Sequence, residues 1–184
     1  MAEPPPVTDR LVLRGWRDED HAPLLALCRD PRVMEFLGPP QSAGEVAAAI
    51  ARQRAKQADY GHCFWAVERR ADGAMLGFCG LQPGPGGTPI AGRIEIGWRL
   101  RADAWGQGYA REAAQASLAW AWANLEADSV WAITVLANSR SWGLMERLGM
   151  RRRTALDFDH PAVPPGSPLR AHITYSLDRP GSHG

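Results

Sequence analysis

Apolar and polar positions alternate strictly over Arg93–Leu100. This sets Ile94, Ile96, Trp98 and Leu100 on one face of a strand and Glu95, Gly97 and Arg99 on the other. The period then lengthens. Ala110, Ala114, Leu118, Ala121, Trp122 and Leu125 follow helical spacing and predict a helix from about Tyr109 to Leu125. Upstream, Leu11–Arg14 reads as a short strand, and Asp18 opens a helix to about Arg29 that Asp30-Pro31 ends; Leu24, Leu25 and Leu27 are among its apolar residues. Ser42 and Glu45 form a capping box for a helix to about Asp59, stopped by Gly61. Phe64–Glu68 and Met75–Leu81 are strands joined by the Asp-Gly hairpin signal of Ala71-Asp72-Gly73, and Pro83–Pro89 is a Gly/Pro loop. Val130–Leu136 is an apolar, β-branched strand. A short helix over Ser139–Leu148 carries the stripe Ser141, Leu144, Met145 and Leu148, with Gly149 at its C′ position. Arg151–Asp159 and Ala171–Leu177 complete the set, separated by the loop from His160 to Pro168. The order β-α-α-β-β-β-α-β-α-β-β, with about seven strands and four helices, predicts one mixed α/β (α+β) domain over residues 1–184. Residues 1–8 are expected to be a flexible lead and 178–184 a flexible tail.

Composition narrows the class. The 184 residues are 45% hydrophobic and 22% charged, with 21 basic against 20 acidic side chains and a net charge of +1. A chain of this length buries roughly 70% of its unfolded surface without disulfide or metal staples. Disordered, collagen-like and nucleic-acid-coating classes are excluded, because a nearly neutral chain has no broad field for a polyanion. Cys28, Cys63 and Cys79 are scattered, a poor disulfide framework and a poor zinc set, so buried free thiols and no metal are expected. The opening Met-Ala-Glu-Pro-Pro-Pro lacks the basic and apolar regions of a signal peptide, and no apolar run is long enough to span a membrane. A cytoplasmic protein with no membrane partner is expected. Lys56 is the one lysine, so no Gly-rich loop ends in the Lys of a P-loop NTPase. H-E-x-x-H and G-x-S-x-G are also missing, which removes the common zinc-protease and α/β-hydrolase readings.

The most informative segment is Trp105-Gly106-Gln107-Gly108-Tyr109-Ala110, between a strand and a helix start. Two glycines let the backbone approach a ligand, and the first N–H groups of a helix have no partners inside it. With the positive end of the helix dipole they make a site for a pyrophosphate. The alternative is a tight turn that binds nothing. A Rossmann loop fits less well, since Gly106-Gln107-Gly108-Tyr109-Ala110-Arg111 lacks the third small residue and hairpins precede it.

Several ordered motifs together resemble the GNAT acetyltransferase superfamily, in its branch of ribosomal-protein N-terminal acetyltransferases. They are the strand Glu95-Ile96-Gly97-Trp98-Arg99-Leu100, the W-G-x-G-Y-A loop at Trp105–Ala110, N-x-x-S at Asn138-Ser139-Arg140-Ser141, and Leu148-Gly149-Met150. The resemblance spans about Leu11 to Leu177 and is strongest from Glu95 to Met150. It implies a mostly antiparallel central sheet and acetyl transfer from acetyl-CoA to a primary amine by direct attack in a ternary complex. The amine is a protein N-terminus or a small molecule; the rival of another class is a non-catalytic CoA-binding domain of the same fold.

By the same resemblance, the amides of Gln107, Gly108, Tyr109 and Ala110, in the loop with Trp105 and Gly106, hold the pyrophosphate. The backbone around Trp98 and Leu100 pairs with the pantetheine arm, and Arg140 is a helper for the adenosine phosphate. Trp105 stands where the wider superfamily has Gln or Arg. Ser141 matches the residue whose hydroxyl serves the thiolate, or it is a helix-face serine. Asn138 matches a pantetheine-contacting position, or it caps a helix. Glu95 is the candidate base, acting through water, although strict alternation points it away from Trp98 and a core salt bridge is the other reading. Trp16, Phe36 and Trp65 come from segments that wall the acceptor pocket in this family; Trp122 and Trp131 read as core. His160 and His172 lie near the C-terminal loop and strand that often close that pocket. Arg151-Arg152-Arg153 reads as an exposed strand start with one inward residue. A homodimer is common among such relatives.

Overall fold

The computed structural model describes residues 5–181. Its chain groups into two compact units, Met1–Gln82 with Ile96–Asn124, and Pro83–Glu95 with Leu125–Gly184. Among the described residues there are eight strands and five α-helices. The strands pair in a mixed, mostly antiparallel way.

In the first unit, β1 (Leu11–Arg14), β2 (Phe64–Arg69) and β3 (Met75–Pro83) form an antiparallel meander, and the end of β4 (Ile94–Leu100) follows. Helices α1 (His21–Leu27), α2 (Pro31–Met34), α3 (Ala43–Tyr60) and α4 (Tyr109–Asn124) complete it. The α3 start is the expected capping box, with both Ser42 and Glu45 bonds made, and Gly61 ends it at φ 76°. Asp30-Pro31 does not simply stop a helix. The Asp30 carboxylate accepts from the Arg32 N–H and Pro31 fits the first turn, so α2 starts there. The first expected helix likewise divides into a 3₁₀ turn at Asp18–Asp20 and α1, and Asp20, not Asp18, accepts from the Arg17 N–H at 2.8 Å.

Trp65 is fully buried and its ring meets Trp120 of α4 edge-on at 5.1 Å, while its indole N–H donates to Gln57 of α3 at 2.7 Å. It is therefore core and not a wall of a pocket. On α4 the buried indole is Trp120, whereas Trp122 is half-buried.

In the second unit, Ile94 and Glu95 pair in parallel with Val130 and Trp131 of β5 (Ser129–Val135). β5 also pairs antiparallel, through its whole length, with β8 (Ala171–Asp178). Helix α5 (Ser139–Arg147) follows β5. The strand expected over Arg151–Asp159 is two short strands, β6 (Arg151–Arg152) and β7 (Phe158–Asp159), split by a 3₁₀ turn at Thr154–Leu156. Arg152 pairs with Asp157 across that turn, and Arg153 bonds Ser176 at 2.7 Å and Asp178 at 3.3 Å.

Part of the expected lead and tail is tied down. Val7 bridges to Val12, Thr8 bonds Glu112, Asp178 closes β8, and Arg179 donates to the carbonyls of Ala127 and Leu125. Residues 1–4 and 182–184 lie outside the described residues. Among the described residues no helix is long and apolar enough to cross a membrane.

Candidate active site

The predicted loop leaves β4 in the first unit. The Arg101 N–H donates to the Leu76 carbonyl at 2.8 Å, a 3₁₀ turn covers Ala102–Ala104, and the Trp105 indole N–H donates back to the Leu100 carbonyl at 2.9 Å. That bond ties the Trp105 side chain to the end of β4. Gly106 (φ 72°) and Gly108 (φ 82°) occupy the left-handed region and turn the chain into α4. Gly106, Gln107 and Gly108 are exposed. Among the described residues, the backbone N–H groups of Gln107, Gly108, Tyr109 and Ala110 have no acceptor, and the first bond of the helix runs from the Glu112 N–H to the Gly108 carbonyl at 3.0 Å. Four unpaired donors at the positive end of a 16-residue helix are an arrangement that suits an anion.

Three residues that sequence reasoning passed over brace this loop. Glu112 in the first turn of α4 accepts from the Thr8 hydroxyl at 2.6 Å, the Arg10 N–H at 3.1 Å and Arg10 Nε at 2.6 Å. Arg10 Nη1 donates to the Gln107 carbonyl at 2.9 Å, and its guanidinium lies 4.5 Å above the Tyr109 ring. Burial pushes the Glu112 carboxyl up, but the bonds from Thr8 and Arg10 outweigh it and leave its pKa below the usual value. These partners sit about a hundred residues from the loop in sequence, so no local pattern marks them.

The other candidates stand in the second unit. Asn138 is the N-cap of α5, its side-chain oxygen accepting from the Ser141 N–H at 3.3 Å, so its capping role is made in the structure. Ser141 is half-buried, and among the described residues its hydroxyl makes no hydrogen bond. Glu95 is buried, 8% exposed, opposite Trp131 in the β4–β5 register. His160 and His172 have ring centres 4.8 Å apart beside Phe158. Burial holds both imidazoles below their ordinary pKa, and for His160 the neighbouring His172 adds to it.

Trp98 and Leu100 lie at the loop end of β4, half-buried and buried. Trp16 is buried, and its indole N–H donates to the Phe64 carbonyl at 2.7 Å. Phe36 is half-buried. A cleft of about 260 Å³ elsewhere in the first unit, between Leu27, Arg32, Met75 and Asp103, contains none of the predicted site residues. Among the described residues, no three His, Cys, Asp or Glu side chains gather as metal ligands would.

A family described as the acetyltransferase (GNAT) domain matches residues 10–151. YkkB, an uncharacterized protein of Bacillus subtilis (strain 168), is 30% identical over 145 residues, which is 78% of this chain and 83% of that protein. A Vibrio cholerae protein assigned as a ribosomal-protein-serine acetyltransferase has the same fold, with a TM-score of 0.76 at 21% identity over 96% of this chain and 99% of that one. So does spermidine N-acetyltransferase of Vibrio cholerae, solved with CoA and spermine, with a TM-score of 0.71 at 16% identity over 94% and 97%.

Proposed function

We propose, from the premise that this chain belongs to the GNAT acetyltransferase family, that it moves acetyl from acetyl-CoA to a primary amine by direct attack in a ternary complex. The observation that carries the reading is the row of unpaired N–H donors from Gln107 to Ala110, opening on the exposed Gln107 and Gly108, with Arg10 bonded to the Gln107 carbonyl. The residues fit a pyrophosphate: the donors are main-chain, and nothing lies within 4 Å of where a Cβ on Gly106 would stand.

When bound, acetyl-CoA supplies an activated acyl carbon and a thiol leaving group. The protein's part is to orient and to move protons. The Gln107–Ala110 amides hold the diphosphate, and the backbone at Trp98 and Leu100 aligns the pantetheine arm, with Asn138 as a further contact. Glu95 takes the proton the amine must lose, through water, and the Ser141 hydroxyl donates a hydrogen bond that stabilises the departing thiolate, which takes its proton from solvent. In this reading the whole chain is one catalytic domain, a cytoplasmic homodimer without metal, nucleic-acid or membrane partners.

Calorimetric titration with CoA, followed by thiol release from acetyl-CoA across an amine and peptide panel, tests the proposal. Micromolar CoA binding with amine-dependent thiol release is expected. Absence of binding at millimolar CoA overturns it; binding without release on any amine leaves a CoA-binding domain.

A further inference from the structure

The β4 face that carries Gly97 and Arg99 meets side chains that acetyl transfer does not use. A Cβ on Gly97 would stand 2.6 Å from Phe64 Cζ, so only glycine lets that ring lie against the strand. Phe64 stacks on Phe78, with ring centres 5.6 Å apart and planes 9° from parallel, and Trp16 tilts against Phe78 at 6.3 Å. The Arg99 guanidinium stands over this aromatic floor, 5.3 Å from the centre of Phe78. Phe64, Phe78 and Arg99 are each half-buried, so none of the three is sealed in the core.

This guanidinium lacks an anion. Its Nη1 reaches Cys28 Sγ at 3.4 Å and Met34 Sδ at 4.0 Å, both weak acceptors. Its Nε is buried and has no hydrogen-bond partner. Among the described residues, no carboxylate oxygen lies within 4.0 Å of it. Arg14, also under protein cover, shows the usual arrangement, forked onto both oxygens of Asp20 at 2.8 Å and bonded to Glu68 at 2.6 Å. An arginine stays charged throughout the accessible pH range, and its planar fork matches a carboxylate with two parallel bonds. The ring face and the sulfurs offset part of the lost hydration, and the fork stays unfilled.

We propose that Arg99 binds a carboxylate of the acceptor, so that the acetylated amine belongs to a small amino-acid-like molecule whose carbon skeleton rests on Phe64 and Phe78. The inference rests on the acetyltransferase reading. It disfavours polycationic acceptors, whose charges Arg99 repels.

The test compares the proteinogenic amino acids with their α-carboxamides, and with spermine, as acceptors for the wild type, Arg99→Met and Arg99→Lys. At least one amino acid should exceed its carboxamide by tenfold or more in kcat/KM. Arg99→Met should abolish that ratio, Arg99→Lys should keep a fraction of it, and CoA affinity should stay unchanged in both. Millimolar amino acid should also raise the melting temperature of the wild type, and not of Arg99→Met, without any cofactor present. Carboxamides or spermine accepted as well as the amino acids overturn the proposal, as does an Arg99→Met enzyme that keeps the preference. A chain that binds no CoA fails the acetyltransferase reading instead, and the cofactor-free thermal shift then decides on Arg99 alone.

Discussion

Replacing Gly108 tests whether the loop is a cradle or merely a turn. At φ 82° a residue with a Cβ is in the left-handed region, which costs about 1–2 kcal/mol per L-residue. A β-branched valine lies at the upper end. The new Cβ would also stand 3.3 Å from Arg10 Nη2, the tip of a flexible side chain that can give by a few tenths of an ångström. The steric contact is therefore secondary and the dihedral decides. In the free protein the Gly108→Val loop escapes the strain by flipping its peptide, which turns the amide away from the cradle. Binding then has to restore the strained form, so affinity falls by the strain that was relieved. That is about 1–2 kcal/mol, or roughly 5- to 30-fold in the Kd for CoA. Gly108→Ala should show a smaller loss in the same direction. Calorimetric titration reads the affinity, and circular dichroism with thermal melts confirms that α4 still forms. A folded Gly108→Val protein with wild-type CoA affinity would refute the cradle and the assignment of Gln107–Ala110 with it.

Ser141→Ala should lower kcat at least tenfold while the calorimetric Kd for CoA stays constant, because its bond strengthens only as charge builds on sulfur; equal losses in both would make it a binding residue. Asn138→Ala should instead lower the melting temperature by the equivalent of about 1 kcal/mol, the usual worth of an N-cap. Glu112 has a lowered folded pKa, so its stabilisation is complete above the ordinary value of 4.5 and is lost as pH falls through the lower folded value. The melting-temperature gap between wild type and Glu112→Gln should accordingly close as melts are taken from pH 7 down to pH 3. Burial pushes the Cys63 and Cys79 thiols up to about 12, so neither should react with a disulfide reagent at pH 8 until the protein is unfolded.

What the sequence disclosed follows the range of the interactions concerned. The Ser42–Glu45 box and the Gly61 stop are complete within four residues, and α3 has those ends. The alternation of β4 is equally local, and its Gly97 and Arg99 do share a face, against Phe64 and Phe78. Asp30-Pro31 misled because a proline that ends one helix is also well suited to start the next, and the deciding contact is the Asp30 side chain. Trp120 and Trp122 both lie near the apolar stripe of α4. Which one is core depends on Trp65, from another strand. The Thr8–Arg10–Glu112 clamp joins the chain start to a helix 102 residues away, beyond any window of periodicity. The unfilled fork of Arg99 is a matter of what does not surround it in the fold, which no stretch of sequence carries.

On the two proposals made above, the two parts of the first unit recognise by different means. The loop presents main-chain donors, which every residue but proline carries, so the hold proposed for it on a diphosphate would be set by the two left-handed glycines and by the Arg10–Glu112 clamp. Side chains there can vary widely without touching the donors. The floor beside β4 works through side chains alone, namely two rings, an indole and one guanidinium. A single substitution there alters what fits, while the Leu100 carbonyl keeps the Trp105 indole and the loop in place. Cofactor affinity and acceptor choice are thus separable on adjacent residues of one strand. Arg99→Met should move acceptor preference without moving CoA binding, whereas Gly108→Val should do the reverse; a variant at either site that shifts both equally would mean that β4 couples the two sites rigidly.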